Sequence, residues 1–345
     1  MTRGIYLCLM LMCLAQQAAM AELNVSITVF DPGVPPDPST HREQLVFPKI
    51  RAIEALFLPF VLRKTMVDAG GWGAVRVVPE HDIAAELLVT GTIIGSDGDT
   101  LELQVQAIDA SGRVWLGKAY TGIWESGDNG SEVTTDSSGY QRLYDEIAED
   151  LRIARDGLDD KSLQDVVEIS RLRYAVQLAP SAFGDFLTTT PDGRFKLNRL
   201  PAENDPMLER IQRIRGVEYV ITDTVDEKYQ ALHAEVRSTY ELWRKYSRQF
   251  AKYQIEEADR QLHSTTDAPR GSYEAIQRTY ENYKWDRMAQ QEQEHWARGF
   301  NNEVGPAVLR MESRVAELEG WVDDQYAEWQ RLLAEIFELE TGLAD

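Results

Sequence analysis

Two long helical segments in the carboxy-terminal half carry apolar residues at alternating spacings of three and four. The first stripe has one polar member and comprises Val225, Tyr229, Leu232, Val236, Thr239, Trp243, Tyr246, Phe250 and Tyr253. The second also has one polar member and comprises Val308, Met311, Val315, Leu318, Val322, Gln325, Trp329, Leu332, Ile336 and Leu339. A helix with such a heptad stripe must bury it against another helix. The chain is therefore restricted to folds in which long helices pack side by side.

A single strong break, "STTDAPRGS" at residues 264–272, separates the two stripes. It predicts an antiparallel, coiled-coil-like helical hairpin whose first arm runs from Asp205 to Leu262. The second arm returns from Tyr273 to the end of the chain, with "GFNNEVGP" as an interruption. A buried Gln325 fixes the register of such a seam at some cost in stability.

A turn near Asp267 would set the register of the two arms. Val225 would then lie opposite Val308, and the heptads beyond Val322 would extend past this pair toward the start of the first arm. We expect those last heptads to pack against the helices of residues 140–188 or against another subunit.

Strict two-residue alternation marks the amino-terminal part as a sheet. "ELNVSITVF" and "AVRVVPE" read as strands, and residues 87–123 read as three more strands with turns at "SDGD" and "DASG". Between the first two strands, Pro48 opens a helical pattern that Gly70 ends, and Pro59 inside it predicts a kink or two abutting helices. The order predicts a sheet with helices on one side.

The fold class predicted is α+β, with a mixed amino-terminal sheet followed by a mostly helical region. The predicted divisions are a signal peptide (1–21), an α/β module (22–125), a polar linker (126–139), a small helical region with a β-hairpin (140–203) and the long helical hairpin (204–345). The β-hairpin is indicated by Pro191-Asp192-Gly193 between two short extended pieces.

The module carries a resemblance in its order of elements and in "LLVTGTI", "DGDTLELQV" and "DASGRVW". Residues 22–125 resemble a periplasmic α/β module of Gram-negative bacteria. That module occurs at the amino terminus of TolB and in lipoproteins that activate penicillin-binding proteins or form the curli secretion channel. The resemblance implies a non-catalytic, protein-binding domain of the envelope and transfers no site residue. The whole chain also resembles a family of exported bacterial proteins, which implies no particular activity.

The first residues, "MTRGIYLCLMLMCLAQQAAMA", have the features of a signal peptide. Arg3 precedes an apolar run too short to cross a bilayer, and small residues mark a cleavage site before Glu22. Both cysteines, Cys8 and Cys13, lie in this segment, so the mature chain would contain no disulfide or thiolate site. We therefore predict a periplasmic protein, with lipid anchoring at Cys13 as the competing interpretation.

The formal charge of −21 makes the chain a poor nucleic-acid binder, because such binding depends on contacts of Lys and Arg to phosphate. Such a chain is also repelled by anionic lipid head groups, so membrane contact is expected only with a lipid anchor.

No catalytic residue, cofactor or metal site is predicted. No nucleophile, phosphate or dinucleotide motif occurs, and the histidines are scattered at His41, His81, His233, His263 and His295. Glu292 and His295 share a helix face, but zinc needs three or four converging ligands. Asp97, Asp99 and Glu102 are explained by a turn without a calcium ligand.

The candidate interaction residues lie on the seams or are tryptophans: Val225, Leu232, Val236, Trp243, Phe250, Val315, Leu318, Val322, Gln325, Trp329, Trp285, Trp296 and Trp321. Trp243 and Trp329 lie on the stripes and are expected in the core. For Trp285, Trp296 and Trp321, core packing and an interaction surface stay open.

Two classes of function follow. The first is a non-enzymatic envelope scaffold or accessory protein that contacts envelope proteins of unknown identity, with a possible homodimer through the helical seams. The alternative is a periplasmic hydrolase with Asp/Glu acid–base chemistry, or a lipid-anchored regulator of an envelope machine if Cys13 is modified.

Overall fold

The computed structural model describes residues 22–41, 46–79, 82, 84–124, 139–263 and 305–341. The amino-terminal elements are, in order, β1 (Val25–Thr28), α1 (Pro38–His41), α2 (Pro48–Ala69), β2 (Val75–Val78), β3 (Leu87–Ser96), β4 (Thr100–Asp109) and β5 (Val114–Ile123). The later elements are α3 (Gln141–Asp156), α4 (Asp160–Leu178), α5 (Pro180–Phe183), β6 (Leu187–Thr189), β7 (Phe195–Leu197), α6 (Pro206–His263) and α7 (Gly305–Thr341). The predicted α+β class is confirmed.

Strands β1 to β5 form one mixed sheet in the order β2-β1-β3-β4-β5. β1 pairs in parallel with β2 and β3, and β3, β4 and β5 are antiparallel neighbours. Ile27 lies opposite Val77 on one side and Val89 on the other, and all three side chains are fully buried. The alternation in the sequence thus decides which face of the sheet meets the core.

Helices α2 and α3 cover that apolar face. α2 contacts β1, β2 and β3, α3 contacts β5, and the two helices contact each other. α2 is a single helix with Pro59 inside it, and it buries residues on all sides because α6 and α7 also pack on it. α3, which the sequence places in a separate helical region, contributes Tyr144, Ile147 and Leu151 to the same core as the sheet.

A second, smaller core lies between α4, α5, the start of α6 and the end of α7. It consists of Ala84, Leu172, Tyr174, Ala175, Ala179, Phe183, Leu208, Ile211, Ile214 and Leu333. The predicted β-hairpin is formed by β6 and β7, with Thr189 opposite Phe195. Gly193 in its turn has a φ of 80°, a conformation that glycine adopts without strain.

The long hairpin is antiparallel, and its first arm, α6, begins and ends within a residue of the prediction. The predicted register is wrong. The Arg314 guanidinium bonds Glu235 (Nε–Oε1 3.1 Å), and the Lys228 ammonium lies 5.7 Å from the ring centroid of Trp321. If the same antiparallel pairing continues along both helices, Val225 lies near residue 324. That position is about four helical turns beyond the predicted partner, Val308. The prediction took the register from an assumed symmetric turn, and the observed contacts between the helices do not follow from that assumption.

The end of α7 packs within the same chain. Leu333 is buried with Leu172 of α4 and Ile214 of α6, so the last heptads contact the helical region between residues 140 and 188, one of the two expected outcomes. Ile336 is exposed and Leu333 is buried, which shifts the apolar face from the predicted stripe at this end. The turn near Asp267 and the break before Pro306 fall largely in 264–304, outside the described residues.

Candidate functional site

The long helix α6 covers the β2 edge of the sheet. The Asp226 carboxylate accepts a hydrogen bond from the Val77 backbone N–H (3.0 Å) and pairs with Arg63 of α2 (2.6 Å). Beside it, the Arg76 guanidinium donates to both carboxylate oxygens of Asp223, at 2.5 and 3.4 Å. Backbone groups at a sheet edge need partners, and here the hairpin supplies them.

A buried ion pair joins α6 to the module further along the helix. Arg244 of α6 and Glu54 of α2 are both fully buried, with Nη2 and Oε1 2.5 Å apart. The Ser96 hydroxyl, at the end of β3, donates to the same Glu54 oxygen (2.7 Å) and accepts from Arg244 (2.7 Å). The Tyr240 hydroxyl donates to Glu54 (3.0 Å) and accepts from Arg244 Nε (2.8 Å). We call these four residues the junction; it links three elements that are far apart in the chain.

Aromatic rings and a close backbone contact enclose the junction. The Arg244 guanidinium lies 4.9, 5.0 and 5.2 Å from the ring centroids of Tyr140, Trp243 and Tyr240. Gly98, in the β3–β4 turn with a φ of 102°, touches α6 so closely that a Cβ atom there would lie 2.6 Å from Cβ of Ser247. α6 therefore packs directly against the β3–β4 turn.

The junction is not fully satisfied by hydrogen bonds. Four buried atoms around it have no partner: Glu54 Oε2, Arg244 Nη1, Tyr144 Oη and Trp243 Nε1. Burial alone would lower the pKa of Arg244, but Tyr240 and Glu54 more than reverse this, so its pKa lies above the ordinary value. Burial also raises the pKa of Tyr240 well above its ordinary value. Arg244 thus stays cationic and Tyr240 stays protonated near neutral pH.

The opposite edge of the sheet is treated differently. β5 is the outermost strand, and in the described part of the chain no strand pairs with it on the side away from β4. Its residues Gly117, Ala119, Thr121 and Ile123 are exposed. One edge of the sheet is therefore capped by the hairpin and the other presents backbone donors and acceptors.

The structure places most of the predicted seam residues inside the chain. Those that are buried are Val225, Leu232, Val236, Trp243, Val315 and Val322. Those that are partly buried are Leu318, Gln325, Trp329 and Trp321. The side chain of Phe250 and the residues Trp285 and Trp296 lie outside the described residues. The α6 seam packs on this chain's own module as well as on α7.

Sequence reasoning missed the junction and the open edge. The signal for the junction was present in α2, where Arg51 and Glu54 are the only charged residues between Ile50 and Leu62. A charged residue in a helix buried on all sides needs a charged partner, and Arg244 follows Trp243 directly on the seam. The signal for the edge was the composition of β5, which contains one charged residue, Lys118, among ten.

No group of three or more histidine, cysteine or acidic side chains in the described part of the chain is placed to bind a metal ion. Among the helices described, none has both the length and the apolar character that crossing a bilayer requires.

No protein-family model matches this chain, and no curated protein matches it. Among solved structures, a PelC dodecamer from Paraburkholderia phytofirmans is similar to part of it, at 18% sequence identity and a TM-score of 0.24. The similar region covers 38% of this chain and 88% of the PelC chain. A likeness of this size carries no argument about assembly or activity.

Proposed function

We propose that this chain is a non-enzymatic scaffold or accessory protein of the bacterial cell envelope that acts through protein–protein contacts in the periplasm. The observation that carries the proposal is the junction, which fixes a long helical hairpin to an α/β sheet that is capped at one edge and open at the other. The signal-peptide pattern and the resemblance of residues 22–125 to periplasmic modules supply the location.

The junction supports a rigid connection between hairpin and module. A helix held by apolar contacts alone can slide or tilt at low cost, whereas displacement of α6 would leave the buried charges of Glu54 and Arg244 without partners. The Asp226 contacts to Arg63 and Val77 hold the same helix at a second point. Two anchor points on one helix fix both its position and its direction.

The geometry suits a spacer between two partners. The open β5 edge lies four strand spacings from the edge that the hairpin covers, about 19 Å at the usual distance between strands. α6 alone is 58 residues long, about 87 Å at the helical rise per residue. A partner bound at β5 and another bound along the hairpin would be held at a fixed separation.

Site-specific crosslinking in intact cells tests the proposal. A photoreactive amino acid is placed at Thr121 on the open edge, at Gln230 on the exposed side of α6, and at Asp192 in the β6–β7 turn as the control. We expect discrete protein adducts at Thr121 and Gln230, and none at Asp192. If neither Thr121 nor Gln230 gives a discrete adduct, the scaffold function is wrong.

Export is tested separately on fractionated cells. We expect the chain in the periplasmic fraction, with a mature amino terminus at Glu22 by mass spectrometry. An intact amino terminus in the cytoplasmic fraction would contradict the location, and a lipid mass on Cys13 would support the anchored alternative.

A further inference from the structure

The outer side of β5 presents a continuous set of backbone hydrogen-bonding groups. The Trp124 N–H, directly after β5, donates to the Asp99 carbonyl (2.7 Å), so it points toward β4. Backbone groups of an antiparallel strand alternate in direction. The N–H and C=O groups of Gly117, Ala119 and Thr121 therefore point away from β4, toward the open side.

The β5 edge has few of the features that usually protect an edge strand from pairing, and its register shift is confined to the start of the strand, between Val114 and Leu116. The strand has ten residues, no proline and one charged residue, Lys118. The Lys118 side chain points over the helix-covered face, where its ammonium lies 4.5 Å from the Tyr120 ring centroid. The chain caps the β2 edge with Asp226, so an uncapped β5 edge is a difference between two ends of the same sheet.

An excess of negative charge lies beside the open edge on the α3 side. The Lys118 ammonium donates to both Glu146 (2.7 Å) and Asp150 (3.0 Å), and Asp150 also accepts from the Tyr120 hydroxyl (2.7 Å). The Glu146 side chain remains 54% exposed. The hydrogen bond from Tyr120, together with Lys118, lowers the pKa of Asp150, so this carboxylate is charged at neutral pH. Two carboxylates against one ammonium leave one negative charge for a further cation.

On the other face of the edge, the side chains of β5 itself carry no charge. Gly117, Ala119 and Thr121 project there, opposite Gln106, Gln104 and Glu102 of β4 in register. The side chains of β5 on this face are small, so an added strand can approach without displacing them. Glu146 and Asp150 on the α3 side therefore supply most of the acidic side chains beside the edge, and Glu102 adds one on the other face.

We propose that β5 accepts an extended, basic segment of another envelope protein as a sixth strand, with Lys or Arg at alternate positions facing Glu146 and Asp150. Main-chain hydrogen bonds to Ala119 and Thr121 supply the pairing, and the two carboxylates select the charge of the added strand. The overall charge of −21 disfavours an acidic segment in the same place. This inference rests on the proposed scaffold function and specifies the chemistry of its partner.

Peptide binding to the purified full chain tests the inference. The probes are labelled peptides as long as β5, one alternating Lys with Thr and one alternating Glu with Thr, followed by fluorescence anisotropy. We expect binding of the lysine peptide and little binding of the glutamate peptide. Ala119→Pro removes an outward N–H and blocks the approach of a strand, so it should weaken binding roughly tenfold or more. Ala119→Thr keeps the N–H and is the matched control.

The double variant Glu146→Gln with Asp150→Asn removes the charge and keeps the backbone. It should weaken binding of the lysine peptide roughly threefold to tenfold, as expected for two exposed ion pairs, and abolish the preference over the glutamate peptide. Thr121→Pro, at a second outward N–H, replaces Ala119→Pro if thermal unfolding shows that the latter does not fold.

Equal binding of the lysine peptide by the wild type and the proline variant would overturn the inference, because attraction to the acidic surface alone would then suffice. Absence of binding would overturn it as well. Crosslinked adducts at Thr121 in cells, combined with no preference for the lysine peptide, would leave the scaffold function standing and refute the basic strand. A preference for the lysine peptide without adducts in cells would refute the scaffold function instead.

Discussion

Substitution of Arg244 by methionine removes one partner of the buried ion pair and keeps an unbranched side chain of comparable length. Glu54 is fully buried, so its carboxylate would lose the guanidinium with which it is paired, and Arg51 would be the remaining buried cation that acts on it. Three further contacts of the guanidinium, to Ser96, to Tyr240 and to the surrounding rings, would be lost with it.

The magnitude follows from the desolvation of the charge that remains. Removal of one partner of a buried ion pair costs about 3–5 kcal/mol of folding free energy. Replacement of both partners by apolar residues of similar volume is usually neutral or stabilising, by about 1–4 kcal/mol. We therefore expect Arg244→Met to be severely destabilising and the double variant Glu54→Leu with Arg244→Met to recover most of the loss. The difference between the two is the signature of a charge pair.

Urea denaturation of the full chain, followed by circular dichroism, measures both values. Circular dichroism and tryptophan fluorescence should give coincident transitions, which checks that the eight tryptophans and the helices unfold in one step. A loss below about 1 kcal/mol for Arg244→Met would refute the reasoning. So would a double variant no more stable than the single one, since the contacts would then matter through packing and not through charge.

Three further predictions concern other parts of the chain. Burial raises the pKa of Glu218, so the native state gains stability from its protonation at low pH and loses that gain as the pH rises through the raised pKa. Glu218→Gln should therefore become more stable relative to wild type from about pH 4 toward neutrality; a constant difference in urea midpoints would contradict this. Gly98→Ala should lower the free energy of unfolding by about 1–3 kcal/mol more than Gly193→Ala. Both glycines have positive φ, but only a Cβ atom at Gly98 would strike the α6 backbone. Equal shifts of the thermal unfolding midpoint would contradict this. Arg314→Ala breaks an exposed ion pair across the hairpin, and Arg331→Ala breaks one within α7. The first should lower the unfolding midpoint no more than the second. A larger loss for Arg314→Ala at low salt would contradict this.

Local periodicity predicted the elements better than their partners. The alternation of Leu101, Leu103 and Val105 identified the buried face of β4, because a strand with one covered face leaves its pattern in neighbouring residues. The 4-3 spacing from Val225 to Trp243 likewise identified a buried helix face. It did not reveal that this face packs on α2 as well as on α7, since a stripe records burial without recording what covers it.

Long-range pairings leave no pattern of this kind. Glu54 and Arg244 are separated by 190 positions, and Arg76 and Asp223 by 147. Neither pair follows from spacing, composition or propensity. The hairpin register failed for the same reason, because side chains brought together by the fold determine it and the length of the connection does not.

The junction also explains how one register is chosen from several. A heptad stripe repeats itself every seven residues, so α6 shifted by one heptad along α2 would still bury apolar side chains. Such a shift would move Arg244 about 10 Å along the axis and break its ion pair with the buried Glu54. The cost of that unpaired charge is about 3–5 kcal/mol, comparable to much of the stability of a domain. The apolar seam thus supplies the attraction between hairpin and module, and one buried ion pair selects the position at which they meet.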